Sequence, residues 1–198
     1  MSHIELRIKP SKPYGAWVKA LDLMGCSVVG LDLPEAEAAG FQAEAGDGIR
    51  CFLLTAGSSL PFVDSCSLAQ VSARRKPPSL LSVGLVDAVD DVDSYLASHP
   101  NRVEALEVSL SEVRRAYETS PAKTFEWTSR LARAAGARGI PVIASSSARE
   151  PEELCTPLTK KAFAALVKSG RRSAGVRERR FLRKLELLAS TRRREGGP

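Results

Sequence analysis

The stretch Ile140–Leu154 reads IPVIASSSAREPEEL. An apolar run stops at Ser145, Ser146 and Ser147, meets Arg149, and passes into a proline-and-acid segment. Gly136 and Gly139 precede it as helix stops, and Pro151 presets the dihedral of a helical first turn. Glu150, Glu152 and Glu153 crowd the same turn, where carboxylates complement the helix dipole. The stretch therefore reads as a strand that ends where a helix begins.

Other segments repeat this grammar. HIELRI (3–8), CSVVGLDL (26–33), IRCFLLTAG (49–57), SLLSVGLV (79–86) and RVEALEVSL (102–110) read as strands, making six with IPVIAS (140–145). The second is almost continuously apolar, as suits a strand covered on both faces. Helical spacing fills the gaps. Trp17, Val18, Leu21 and Met24 form one stripe that stops at Gly25, and Asp90–Ser98 turns Tyr95 and Leu96 inward. A helix capped by Thr124 is predicted to bury Phe125, Thr128, Leu131, Ala132 and Ala135. After a short turn at Pro151–Leu154, Thr156–Lys168 is predicted to bury Leu158, Ala162, Ala165 and Leu166, with Lys160 and Lys168 outward. VRERRFLRKLELLA places Phe181, Leu182, Leu185 and Leu188 on the inner stripe of a basic helix.

This alternation predicts an α/β fold of parallel β-α units, either an open doubly wound sheet or a (β/α) barrel. No G-x-G-x-x-G follows the first strand, and no G-x-x-x-x-G-K-[ST] occurs anywhere. The tight first connection suits a barrel. One domain over residues 1–190 is expected, with an exposed basic loop at Ser65–Ser79. TRRREGGP (191–198) holds no apolar residue and is predicted to be disordered.

Charge separates the chain into two parts. The whole carries +6, yet Arg171–Pro198 has nine Arg and one Lys against three Glu, so the first 170 residues sum to −1. A near-neutral domain with a basic end points to a polyanionic partner, nucleic acid before membrane. No apolar run approaches the roughly 18 residues of a membrane span, and the N-terminus lacks the apolar core of a signal peptide. A cytoplasmic protein is expected. Cys26, Cys51, Cys66 and Cys155 contain no C-x-x-C, and Cys26 and Cys51 fall in apolar runs where reduced cysteine packs as a small hydrophobe.

Catalytic chemistry is thinly represented. His3 and His99 are the two histidines, too few for a histidine-rich metal site. Asp32, Asp87 and Glu107 lie near strand ends and leave a carboxylate-only magnesium site open. The three serines lack G-x-S-x-G and a histidine base. A phosphate contact is better supported, since hydroxyls at a strand-to-helix turn suit an anion and Arg149 adds a bidentate donor. Ordinary capping is the alternative there. Sparse aromatics favour a backbone-binding over a base-reading mode of RNA recognition.

The order LEVSL, helix, IPVIASSSAR, PEEL and TPLTKKAFAALVKSG resembles the ribonuclease P protein component 3 family of Archaea and Eukarya. That family carries a strand of the type VPLVVSSGAR, an acidic segment and a basic helix. The likeness covers about residues 3–190 and is motif-like over Ile140–Gly170, with Ser147 standing where the pattern has glycine. It implies an incomplete, TIM-like (β/α) barrel akin to polymerase-and-histidinol-phosphatase enzymes but without their metal site. His3-Ile4-Glu5 stands in place of their H-x-H pair. The resemblance further implies a non-catalytic subunit of ribonuclease P, the endonuclease whose RNA removes the 5′ leader from precursor tRNA. The expected partners are that RNA, precursor tRNA and protein component 2 with other subunits, and magnesium would come with the RNA. No cofactor, catalytic residue or metal ligand is expected on the chain itself. The expected RNA contacts are Arg149, Lys160, Lys161, Lys168, Arg171 and Arg172, then Arg179, Arg180, Arg183 and Lys184 on the basic helix. A carboxylate-metal phosphoesterase on the same barrel, and a protein-interaction module without RNA contact, are the competing expectations.

Overall fold

A computed structural model describes residues 3–54, 62–64, 80–84, 89–98, 103–167 and 172–195. The chain runs β1 (His3–Ile8), α1 (Gly15–Leu23), β2 (Cys26–Leu31), α2 (Glu35–Ala45), β3 (Arg50–Leu53), β4 (Phe62–Asp64), β5 (Leu80–Ser82), α3 (Val89–Ser98), β6 (Ala105–Ser109), α4 (Leu110–Thr119), α5 (Pro121–Arg138), β7 (Val142–Ser145), a 3-10 turn (Pro151–Glu153), α6 (Pro157–Val167) and α7 (Arg172–Glu195). Among the described residues every strand pairing is parallel. The strands form two sheets, β1-β2-β3 and β4-β5-β6-β7. A parallel bridge between Ile8 and Ala148 sets the β1 edge of one sheet beside the β7 edge of the other. There the Lys9 amide donates to the Ala148 carbonyl at 2.9 Å. Among the described residues no closed barrel is present, and β3 and β4 are not paired.

Alternation along each strand sorts the residues into an outer and an inner face. Outward, Cys26, Val29, Leu31 and Cys51 pack with Trp17 and Leu21 of α1 and Phe41 of α2. Leu81, Leu106, Val108 and Ala144 pack with Tyr95, Trp127, Leu131 and Phe163 from α3, α5 and α6. Inward, the strand starts are apolar. Leu6, Val28, Phe52, Leu80 and Ala105 meet Phe181, Leu185 and Ala189 of α7, which fills that end. Toward the strand ends the inner face turns polar, with Arg7, Ser82, Glu107 and Ser145 linked to one another. This two-sided burial explains why the strands read as near-continuous apolar runs.

A β-bulge in β1 shapes the inner face. Glu5 pairs with Val29 and Ile8 with Leu31, so Leu6 and Arg7 together oppose Gly30. The extra residue restores Ile8 to the outer face while Leu6 and Arg7 both serve the interior. It also presses the Leu6 carbonyl against β2. A Cβ on Gly30 would lie 1.9 Å from that oxygen, which is why glycine is needed there.

Several expectations need correction. The strand β4 and the helices α2 and α4 were not anticipated. Arg102–Leu110 was expected as a single strand, but Leu110 opens α4, where Ser109 Oγ accepts the Glu112 amide at 3.3 Å. The buried stripe of α5 is Thr124, Trp127, Leu131, Ala134 and Ala135, while Phe125 is 58% exposed. The larger indole takes the interior. On α6 the stripe is Lys160, Phe163 and Val167, leaving Leu158 76% and Leu166 69% exposed. Treating Lys160 as obligatorily solvated rotates the expected helix to the wrong face. The helix α7 continues to Glu195, past the residue at which disorder was expected to begin.

Candidate nucleic-acid interface

Two basic regions and one buried ion pair emerge at opposite parts of this framework. Helix α7 binds its own fold through Phe181, Leu185 and Ala189, all buried, with Leu182 and Leu188 packed at the margin. Arg50 Nη1 donates to Ser190 Oγ at 2.8 Å, fastening the helix to β3. The sequence periodicity fixes what remains outside: Arg179, Arg180 and Arg183 are exposed. Arg177, Arg180, Arg183 and Lys184 line an open groove of about 770 Å³ with Val103 and Glu104. Lys184 is half-buried and pairs with Glu104 Oε1 at 2.5 Å, so its charge is partly committed.

Lys160 is a correction. Expected as an RNA contact, it is 7% exposed and its ammonium donates to Glu5 Oε2. Glu5 also accepts from the Ser146 amide at 3.0 Å and from Ser146 Oγ at 2.6 Å. Ser146 Oγ in turn accepts the Cys155 amide at 2.8 Å. The network ties β1, the chain after β7 and α6 together, at the seam where Ile8 and Ala148 bridge the two sheets. Lys160 is therefore structural. Burial lowers the His3 pKa below its usual 6.5, and the Lys160 charge adds to that effect. Burial pushes the Cys26 thiol up to about 11, the Glu5 charge adding to that rise.

The third region lies where strands end. Arg7 Nε and Nη2 both donate to Asp32 Oδ2, at 3.2 and 3.0 Å, and Nη1 donates to Ser82 Oγ at 3.3 Å. The same Nη1 stands 3.6 Å from Oε2 of the fully buried Glu107. Glu107 Oε1 accepts from Ser145 Oγ, and from Ser147 Oγ at 2.8 Å. One guanidinium thus sits between Asp32 and Glu107, two of the three carboxylates considered for a metal, and it balances one of their two charges. Among the described residues no cluster of three or more His, Cys, Asp or Glu is arranged to hold a metal ion. Ser147 adopts a left-handed φ of 48°, at the position where the resembling pattern has glycine.

The remaining expected contacts divide as follows. Arg149 is exposed at the strand-end mouth, and its amide donates to Glu153 Oε2 at 2.8 Å. Lys161 is exposed on α6, beside the α5–α7 groove. Arg172 begins α7. Lys168 and Arg171 lie outside the described residues, as do Asp87, His99 and the whole Ser65–Ser79 loop with Cys66. Arg149 is thus separated from Arg179, Arg180 and Arg183, because the first follows a strand end while the others cover the strand starts. Two further basic residues line a small cavity at the strand ends and escaped sequence reasoning. Lys9 follows a β-like run directly, and Arg115 sits one turn into α4, whose S-x-x-E start (Ser109–Glu112) is a legible capping signal. No described helix is long and apolar enough to cross a membrane.

Comparison with known families finds no family model that matches the chain. No curated protein matches it either.

Proposed function

We propose that this chain is a non-catalytic subunit of ribonuclease P, supporting RNA-catalysed removal of the 5′ leader from precursor tRNA. The fold reading that accompanies it is an incomplete (β/α) barrel. Support for that comes from the neighbour order β3-β2-β1-β7-β6-β5-β4, in which consecutive strands lie side by side everywhere except at β3 and β4, and β7 meets β1 through Ile8 and Ala148. An open doubly wound sheet would instead reverse its order at a switch point.

The observation that carries the functional reading is the division of labour on α7. Its apolar stripe is consumed by the core, so Arg179, Arg180 and Arg183 are held outward on a fixed helical frame. Rigid cations on such a frame suit the phosphate backbone of a structured RNA. Magnesium belongs to the RNA in this reading, and the cationic helix lowers the concentration needed. The exposed pair Tyr117 and Phe125, with ring centroids 6.3 Å apart, suits contact with a further protein subunit such as protein component 2. The expected compartment is the cytoplasm. The phosphoesterase alternative is disfavoured because Arg7 already engages Asp32 and Glu107.

The test is reconstitution of precursor-tRNA cleavage with and without the chain at limiting magnesium. Activity should rise with the wild-type protein and fall with R180E/R183E, while thermal unfolding of that variant stays near wild type. RNA affinity should fall with salt, by roughly 0.7–0.9 log units of slope per phosphate contacted. Hydrolysis of a phosphodiester by the isolated chain, abolished by a chelator, would replace this reading with the enzymatic one.

A further inference from the structure

The ends of β2, β1, β7 and β6, four neighbouring strands across the seam, converge on a small polar cavity of about 60 Å³. Its floor is the Arg7–Asp32 pair, and Ser147 closes one side. Lys9 follows β1, Arg149 follows β7, and Ser111 and Arg115 come from the first turns of α4 after β6. The bond from the Lys9 amide to the Ala148 carbonyl brings Lys9 and Arg149 to the same rim.

The charges at this rim are unequally engaged. Arg7 is held by Asp32 and Glu107. Arg115 meets Glu153 at 3.4 Å in a largely exposed pair, a weak commitment. Glu112 is a second carboxylate on the lining. Asp32 and Glu107 engage Arg7 and Glu153 engages Arg115, so the cationic groups at the mouth that no carboxylate holds, among the described residues, are the Lys9 ammonium and the Arg149 guanidinium. The cavity is small and partly open, and its polar, cation-bearing lining suits a tetrahedral oxyanion.

We propose that this mouth is a phosphate site, in which Lys9, Arg149 and Arg115 grip a single phosphodiester of an RNA backbone. It lies at the opposite end of the strands from α7, so the chain would hold RNA at two separated points. The choice of RNA as the source of the phosphate rests on the ribonuclease P reading; the anion site itself rests on the cavity and its cations. Arg149 supplies planar bidentate donors and Lys9 a mobile point charge.

The experiment uses the full chain labelled with nitrogen-15, titrated with inorganic phosphate and separately with a short A-form RNA duplex, chloride serving as the ionic-strength control. Phosphate is expected to give saturable shifts at the amides of Lys9, Ser111, Ser147 and Arg149 and to leave α7 unmoved. The K9A/R149A variant, whose changes are at exposed side chains, should unfold at the wild-type temperature and lose about tenfold or more in phosphate affinity. Its RNA binding should show a salt slope lower by about one unit. R149Q alone should give an intermediate loss. The site is overturned if phosphate leaves those amides in place, or if K9A/R149A binds phosphate as the wild type does. RNA binding that weakens in R180E/R183E and not in K9A/R149A overturns the mouth and leaves the ribonuclease P reading standing. Saturable phosphate binding at the mouth with no RNA binding by the wild type overturns that reading and RNA as the source.

Discussion

Replacing Lys160 by methionine removes the ammonium and keeps the length and apolar body of the side chain. Glu5, with a side chain 1% exposed, would then keep two bonds from Ser146 and lose its counter-charge. Breaking a buried pair in this one-sided way typically costs about 3–5 kcal/mol. In a chain of this size about 2–4 °C of melting temperature is lost per kcal/mol, so K160M should unfold roughly 6–20 °C below wild type. The double variant E5Q/K160M separates charge from packing. Glutamine retains an oxygen to accept the Ser146 amide, so stability should return to within about 1–2 kcal/mol of wild type. Urea unfolding with an unchanged dependence on denaturant measures both. A loss below about 1 kcal/mol in K160M, together with weakened RNA binding, would refute the reasoning and return Lys160 to the surface.

Gly30→Ala should be among the most damaging single changes, because its Cβ meets backbone oxygen 1.9 Å away, and the Phe52 ring at 2.8 Å, with no flexible tip to yield. A loss of about 3 kcal/mol or more, or failure to fold, is expected by thermal unfolding. At Ser147, glycine relieves about 1 kcal/mol of left-handed strain but forfeits the bond to Glu107, about 1.5–3 kcal/mol. Alanine forfeits the bond and keeps the strain, so melting temperatures should rank wild type, S147G, S147A; an inverted order of the two variants would refute the account. His3 has a folded pKa below its unfolded 6.5 and therefore takes up a proton on unfolding. Its contribution is fully present above pH 6.5 and is lost as pH falls from there through the folded value. H3Q should flatten the stability profile in that window, and an unchanged profile would show that His3 is not desolvated.

Much of the framework was readable because burial on both faces forces strands into continuous apolar runs, as in Cys26–Leu31 and Val142–Ser145. The bulge at Leu6–Arg7 was not. Period-two reading puts His3, Glu5 and Arg7 on one face, whereas the extra residue divides Glu5 from Arg7 between the seam and the interior. The helix Glu35–Ala45 escaped because its buried face is Ala38 and Phe41, a stripe too sparse to stand out. The three serines after β7 proved less a unit than they look. Ser145 and Ser147 bond Glu107 inside, while Ser146 bonds Glu5 at the seam. Periodicity states which residues share a side, but the choice between Lys160 and Leu158 for the interior of α6 was decided by a carboxylate 155 positions away. No local pattern carries that information.

The interior is finished by Phe181, Leu185 and Ala189, residues made after everything they cover. During synthesis at about 5–20 residues per second, the strands must wait beneath an uncovered apolar floor until that segment has left the ribosome. Removing the segment to ask whether its arginines matter would therefore uncap the fold along with the charge. Charge reversal at Arg180 and Arg183 asks the electrostatic question with the plug left in place.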